Sequence, residues 1–510
     1  MSGMVQGSNP FYVTTAIAYV NANPHIGFAL EVLAADVLAR YQRLKGDDVL
    51  FLTGTDEHGS KVQRAAEKAG KTPQVFADER AAKFRDHVRE LGVSADVFIR
   101  TTDPDHIKVA QEFWKRADKS GDIYKKEYRG SYCVGCEAFL TESEVTRDGA
   151  CCIHGTKPEQ INEENYFFKL SKYTDWLRQH LLDHPSFVQP VGRYNEIMAL
   201  LERGLEDVSI SRPSNKLGWG IPVPGDETHV MYVLFDALTN YVTGAGFIKD
   251  PKTFEKYWPA QVHIVGQDIL RFHAALWPAM LKSAGLELPH QIYSHGFVTN
   301  EGRKMSKSVG NVVDPFEIVA NNGLEPTRYY LLAAIPFADG GDFSLTQLEQ
   351  RYNAELANGI GNLVSRVLQM VNKFCQSKVP DADVDEAISK QTQGFFSVYD
   401  GALHDLRFHD ALSALNKFVA DANRYVDAQK PWELAKTDPA QLKIVLRTLL
   451  QIVYQVGLHL TPFLPETGEK IQGAFGKKSA EATLTEHRAW VIPDVLLLEK
   501  LPVLFPRRKK

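Results

Sequence analysis

FYVTTAIAYVNANPHIGFALEVLAADVLARYQRL, residues 11–44, decides the architecture. It opens with a β-branched and aromatic run, the composition of a buried strand. After Asn23-Pro24-His25-Ile26-Gly27 the period changes, and Leu30, Leu33, Val37, Leu38 and Tyr41 share one helical face. The same alternation continues downstream. DVLFLTG (48–54) reads as a second strand, followed by a helix from Lys61 to Ala69. Thr72-Pro73 then opens another helix, with a cap residue and a proline at the first helical position. A strand at DVFIRTT (96–102) and a helix at HIKVAQEFWKRADK (106–119) complete the run. Strands that alternate with helices build a parallel sheet with helices on its faces.

Between Ser120 and Thr228 the pattern breaks into short charged pieces punctuated by Gly and Pro. Strand and helix return in HVMYVLFDALTNYV (229–242), VHIVGQDILRFHAALWPAML (262–281) and HQIYSHGFVT (290–299). From Thr346 onward the text is helical, as in LEQRYNAELANGIGNLVSRVLQMVNKF and DALSALNKFVADANRYVDAQ. The expected fold is therefore α/β, a doubly wound (Rossmann-like) parallel-sheet domain interrupted by an insertion and followed by an α-helical bundle. The boundaries that follow are 1–119 and 229–309 for the two halves of the sheet domain and 120–228 for the insertion. A connector spans 310–345 and the bundle 346–510.

The chain has 510 residues, too many for one ordinary core. Hydrophobic residues make up 44% and charged residues 24%, with 63 acidic against 58 basic side chains and a net charge of -5. These values exclude a disordered chain and a globally basic nucleic-acid binder, though not a local basic groove. The polar start MSGMVQGSNP has no signal-peptide core, and no run reaches the roughly 20 apolar residues of a membrane span. The cysteines are odd in number, with Cys133, Cys136, Cys151 and Cys152 clustered and Cys375 alone far downstream, which points to a reduced, cytoplasmic location and a metal rather than disulfides.

Two short segments suggest phosphate chemistry. His25 and Gly27 sit where a strand turns into a helix, so an imidazole and backbone N–H groups meet the positive helix end; the alternative is a turn histidine. Lys304-Met305-Ser306-Lys307-Ser308, between Gly302 and Gly310, offers two flexible point charges in a glycine-flanked loop; the alternative is a solvated basic loop. Cys133-Val-Gly-Cys136 and Cys151-Cys-Ile-His154 form CxxC and CxxH halves that suit tetrahedral Zn²⁺ in a closed, structural site. Cys152 is an alternative ligand to Cys151.

A HIGH-like turn followed about 280 residues later by KMSKS resembles the signature pair of class I aminoacyl-tRNA synthetases. TTAIAY, FLTGTDEHG, YVLFDALTNY, VGQDILRFHAALWPA and YSHGFVTNEGRKMSKS resemble, in that order, the methionyl-tRNA synthetase family. The likeness runs from Phe11 to the terminal LFP. It implies two steps: methionine and ATP, with Mg²⁺, give methionyl-adenylate and pyrophosphate, and methionine then passes to the 3′-terminal ribose of tRNA(Met), the initiator included. It implies catalytic roles for His25, Lys304 and Lys307, and ATP contacts from these with Gly27, Gly266 and Asp268. A carboxylate beside ribose hydroxyls is chemically sensible, although Asp268 could also cap the helix beginning there.

For methionine, the resemblance points to Ile17, Tyr19, Asp56, Leu234, Ala237, Leu238, Tyr241 and His295. Asp56, helped by Tyr19, would meet the ammonium group, and the others would line a thioether slot. Without the resemblance Ile17, Ala237 and Leu238 read as core residues and His295 as a sheet histidine; His58 could equally be structural. Asn362, Arg366 and Trp432 are implied in reading the CAU anticodon, with Trp432 stacking on a base. The zinc falls in the connective-peptide insertion. A monomer is expected, because the chain ends at LPVLFPRRKK without the appended β-barrel that some relatives use to dimerise.

Two positions depart from the family pattern. Phe28 stands where HIGH ends in histidine, which removes a donor expected to face phosphate; losing one such donor is worth roughly 10²–10³ in rate. Leu234 stands where YVWFDAL has an aromatic, which reshapes the slot. The second reading is therefore a catalytically weakened, synthetase-like tRNA-binding protein.

Overall fold

The computed structural model describes residues 9–508 except 22, 134–137, 141–144, 147, 153–154, 301, 305–312, 477–482, 485 and 487–496. The central sheet has seven strands: β1 (Pro10–Thr15), β2 (Ala18–Tyr19), β3 (Asp48–Asp56), β4 (Val97–Arg100), β5 (Val188–Gln189), β6 (Val262–Gly266) and β7 (Ile292–His295). All its pairings are parallel. β1 lies in the middle, with Val13 opposite Phe51 of β3 on one side and Val262 of β6 on the other. β4 lies outside β3, while β7 and then β5 lie outside β6. The chain thus builds outward from β1 in one direction and later in the other. The strand order reverses between β1 and β6, which opens a crevice at their C-terminal ends.

The helices of the first half are α1 (Ile26–Lys45), α2 (Ser60–Lys68), α3 (Pro73–Glu90) and α4 (Pro104–Lys119); α5 (Val233–Leu238) and α6 (Asn240–Gly244) precede β6. α1 ends at Gly46, whose φ of 97° only glycine adopts readily and whose N–H caps the last turn. Thr72 caps α3 by accepting from the Val75 N–H, with Pro73 in the first turn as the sequence indicated.

The expected first strand, FYVTTAIAY, is broken after Thr15, and β2 crosses to pair with the end of β3. The insertion holds a long antiparallel pair, Ile123–Cys133 with Glu159–Phe168. The stretch assigned to it is not wholly separate, however. β5 lies inside 120–228 yet forms the edge of the central sheet beside β7. The connector is also folded: Gly341–Phe343 pairs with Val298–Asn300, and the helices Pro315–Asn322 and Leu324–Ala334 lie between them.

One apolar core runs without a break from α1 and one face of the sheet into the helical bundle, through Leu30, Leu33, Leu331, Leu415 and Val453. A second fills the opposite face, with Trp114, Phe235, Tyr241 and Trp277. α1 is therefore buried nearly all round. Its two carboxylates, Glu31 and Asp36, must each find partners inside the protein. Asp36 accepts from Arg40, from Ser94 and, at 2.6 Å, from Arg328. Against the upward push of burial, the Arg328 and Arg40 guanidiniums hold its carboxyl below the usual range. Arg328 also donates to the carbonyls of Leu91 (2.8 Å) and Phe463 (2.9 Å). One fully buried guanidinium thus joins the sheet domain to the bundle.

Candidate active site and tRNA-binding face

The crevice between β1 and β6 gathers most of the residues singled out from sequence. His25 is the N-cap of α1 and accepts the Gly27 N–H at Nδ1, 3.1 Å away. That fixes its proton on Nε2, on an exposed ring at the positive end of a twenty-residue helix. Phe28 does not stand beside it facing the crevice. Its ring is buried edge-on against Phe84 (5.2 Å) and near His87 (5.9 Å). The sequence suggested a phosphate-facing position at 28, but the helix turns that side chain into an aromatic pocket. His87 lies inside this pocket, also against Phe316, and neither ring nitrogen has a hydrogen-bond partner. Burial, and then the nearby His25, push its pKa down to about 3.

Across the crevice, β6 ends at Gly266 and Asp268 follows in a short 3₁₀ turn. A Cβ at 266 would lie 2.8 Å from Asp268 Oδ1 and 3.9 Å from His295 Nε2, so a side chain there would displace the Asp268 carboxylate from its present position. Gly266 occupies the cap position, and Asp268 stands exposed within the turn rather than capping it. His295, at the end of β7, has its Nδ1 2.9 Å from the Gly296 carbonyl and its Nε2 2.8 Å from Glu31 of α1. Burial alone would lower this histidine, but the Glu31 hydrogen bond and charge hold it above its ordinary value. Burial likewise lifts Glu31. The pair ties the helix that follows the HIGH-like turn to the strand that leads toward KMSKS.

Most of the residues expected to meet methionine come from β2, β3, α5 and α6. Tyr19 and Asp56 are direct neighbours across the β2–β3 pairing. Tyr19, Leu234 and Ala237 pack on one small apolar cluster, while Ile17, Leu234, Leu238 and Tyr241 belong to the adjoining core. Tyr241 is held on several sides. Its ring stacks on His263 at 4.1 Å, its carbonyl accepts from Tyr12 (2.7 Å), and its hydroxyl lies 2.6 Å from His273 Nε2. Burial, then the charge of Glu31, push its phenol upward, so it stays protonated.

The remaining polar residues of the TDEHG segment are structural. Glu57 is buried and grips Arg100 through both oxygens, at 2.7 and 2.8 Å. His58 lies 2.8 Å from Asp236, which also meets His106 at 3.3 Å. Asp236 is held below its usual range, with burial opposing and the His58 charge leading the downward effect.

Lys304 lies in a two-residue strand opposite Thr299, in a hairpin braced by Asp342, which accepts from the Gly302 N–H and the Thr299 hydroxyl, each at 2.8 Å. Lys307 lies outside the described residues. So do Cys136 and His154, two of the four expected zinc ligands. The other two, Cys133 and Cys151, are buried in one cluster with Leu140, whereas Cys152 is exposed. That difference favours Cys151 over its neighbour. Among the described residues no group of three or more His, Cys, Asp or Glu could hold a metal.

On the bundle, Arg366 reaches Asp427 at 2.7 Å, and the Asn423 side-chain oxygen lies 3.4 Å from both Arg366 and Asn362. Trp432, just after the left-handed Lys430 (φ 44°), leaves 44% of its surface open. The three predicted anticodon residues thus present one exposed plane and two polar heads set by Asn423.

These arrangements have close counterparts. The model of tRNA synthetases class I (M) matches residues 11–151 and 146–368, and that of the anticodon binding domain of methionyl tRNA ligase matches 378–497. The chain belongs to the methionyl-tRNA synthetases. The methionine–tRNA ligase of Brucella suis is 47% identical over 468 residues, covering 90% of each chain. That of Mycobacterium bovis is 44% identical over 98% of both. The Mycobacterium tuberculosis methionyl-tRNA synthetase in complex with methionyl-adenylate superposes with a TM-score of 0.92 at 41% identity, covering 98% of this chain and 100% of that one. The activity of this synthetase is the ligation of methionine to tRNA, and nothing favours the weakened, tRNA-binding alternative. No described helix is long and apolar enough to cross a membrane.

Sequence reading did not single out Glu31, Asp236, His263, His273 or Asn423. Glu31 carried a signal, since a carboxylate in the middle of the apolar run FALEVLAA needs a buried partner. The histidines carried none, because their aim depends on how the helices are placed.

Proposed function

We propose that the crevice between β1 and β6 carries out methionine activation with the residues read from sequence. His25 Nε2–H and the N–H groups at the start of α1 meet the ATP phosphates, joined by Lys304 and Lys307. Asp268 accepts from the ribose hydroxyls beside Gly266. Asp56, with Tyr19, receives the methionine ammonium, and Ile17, Leu234, Ala237, Leu238, Tyr241 and His295 enclose the thioether. A methionine carboxylate oxygen attacks the α-phosphorus, forming methionyl-adenylate as pyrophosphate leaves. A terminal ribose hydroxyl of tRNA(Met) then attacks the methionyl carbonyl and releases AMP. The protein's share in both steps is positioning and charge stabilisation. Mg²⁺ bound with ATP would neutralise phosphate charge.

The observation that carries this reading is the meeting of a histidine-capped helix start, a glycine-guarded carboxylate and an Asp–Tyr pair at the sheet's reversal point. Cys133, Cys136, Cys151 and His154 would hold a structural Zn²⁺, supported by the burial of the first and third. Asn362, Arg366 and Trp432 would read the anticodon. A cytoplasmic monomer completes the proposal.

The test is methionine-dependent ATP–pyrophosphate exchange by the purified protein, alongside Asp268→Ala and Lys307→Ala variants. Strong exchange that both variants depress supports the assignment; exchange indifferent to both removes these residues from the site.

A further inference from the structure

α3 runs alongside the start of α1, and one of its faces carries Phe76, Arg80 and Phe84 at four-residue spacing. Phe84 meets Phe28 in the first turn of α1. Arg80, one helical turn or about 6 Å earlier, donates to the side-chain oxygen of Asn23. The guanidinium thus reaches the turn that precedes α1 and ends in the His25 cap. The Phe76 ring, 5.0 Å away, gives it a platform. A guanidinium is always charged and is matched best by an anion, yet the partner here is a neutral amide oxygen. Among the described residues no carboxylate pairs with Arg80; the adjacent Asp78 and Glu79 are engaged by Arg100 and Lys71.

The topology decides which anion. Gly266 and Asp268 follow β6 on one side of β1, whereas β3 and β4, the strands that α3 connects, lie on the other. A nucleotide with its ribose at Asp268 and its phosphates across the start of α1 carries its far end toward α3. The slot residues Leu238 and Tyr241 belong to the core on the opposite face of the sheet from Phe76 and Phe84. In-line displacement at the α-phosphorus sends pyrophosphate away from the methionine side, which is again toward α3. We infer that Arg80 is a further ATP-binding residue: its guanidinium takes the β- and γ-phosphates and holds pyrophosphate as it leaves. As the methionine carboxylate oxygen bonds to the α-phosphorus, the bond to the bridging oxygen breaks and its electron pair stays with pyrophosphate. Arg80 meets that charge with a planar fork of donors, where position 28, a phenylalanine turned into its pocket, offers none. The inference rests on the ATP site proposed above.

The test is pyrophosphate exchange with the full chain, measured separately against ATP, pyrophosphate and methionine. Arg80→Met should raise the KM for ATP and for pyrophosphate about tenfold or more, with the KM for methionine changed by less than about twofold. Arg80→Lys keeps the charge and should recover most of that loss; no recovery overturns the inference. Asn23→Ala cuts the same hydrogen bond from its other end but leaves the cation, and should cost less than about threefold. Equal losses in Arg80→Met and Asn23→Ala would reduce Arg80 to a staple between α3 and the turn. An unchanged KM for ATP with a raised KM for tRNA in aminoacylation would assign the cation to the nucleic acid instead. Either result overturns the inference. Asp268→Ala separates it from the reading beneath it. Exchange depressed by Asp268→Ala but not by Arg80→Met withdraws Arg80 alone, whereas exchange indifferent to both withdraws the proposed ATP site as well.

Discussion

The two ends of the crevice are built on opposite plans. Around Tyr241 the polar groups are already engaged: its phenol with His273, its carbonyl with Tyr12, and His263 with Thr14 and Trp277. Around His25 the imidazole is exposed and accepts a backbone N–H, and the ring of Phe28 turns away. On the assignment proposed above, the amino-acid end is set before its ligand arrives, whereas the phosphate end is left for ATP to complete. Such a division suits an enzyme that must discriminate among small side chains but needs only charge and placement for a triphosphate.

The strongest attempt to break this contrast is Asp56→Asn. Loss of the ammonium's counter-charge should lower kcat/KM for methionine by roughly 10²–10³-fold, with the KM for ATP little changed. An equal loss with respect to ATP would mean that the two ends are not separate.

A second test concerns the orphaned imidazole behind Phe28. With a folded pKa of about 3, His87 resists protonation in the native state while the unfolded chain takes up a proton near its ordinary value. Native stability therefore falls as pH drops below about 6.5, and His87→Leu should remove about 2 kcal/mol of the difference between pH 7 and pH 5 in urea unfolding. Parallel pH curves for the two proteins would mean that His87 gains a partner in solution.

Trp432→Ala carries the comparison to the far end of the molecule. Loss of a stacking plane should reduce aminoacylation efficiency for tRNA about tenfold and leave pyrophosphate exchange intact. The smallest effect belongs to Phe28→His. Because that side chain points into the Phe84–His87 pocket, exchange should change by less than about tenfold, far below the value of a phosphate donor. A large gain would place position 28 in the crevice after all.

The legible parts of the fold were those with period and punctuation. The strand-to-helix alternation of residues 11–119 gave the parallel sheet, and Thr72-Pro73 marked a helix start that the structure bears out. Two-residue β5 offered no period to read, so an edge of the sheet was hidden within the apparent insertion. The residues proposed for the phosphate side and the slot came from motif and resemblance, because such proposals attach to positions in a linear pattern. His273 came from neither, since a π turn breaks the helical period and only the placed helix shows its ring aimed at Tyr241. Phe28 shows the reverse limit: the motif marked the position, but the direction of the side chain depended on a pocket made by α3.

Arg328 also has a consequence for how the molecule is made. Its guanidinium gathers acceptors from residues 36, 91 and 463, all closed to water. On a ribosome adding roughly 5–20 residues per second, Asp36 and the Leu91 carbonyl wait tens of seconds for the last of these to emerge. Until then the part of α1 that packs on the bundle has no cover, and Asp36 has Arg40 of its own helix as its cation. The helical bundle is thus a late-arriving part of the sheet domain's own core.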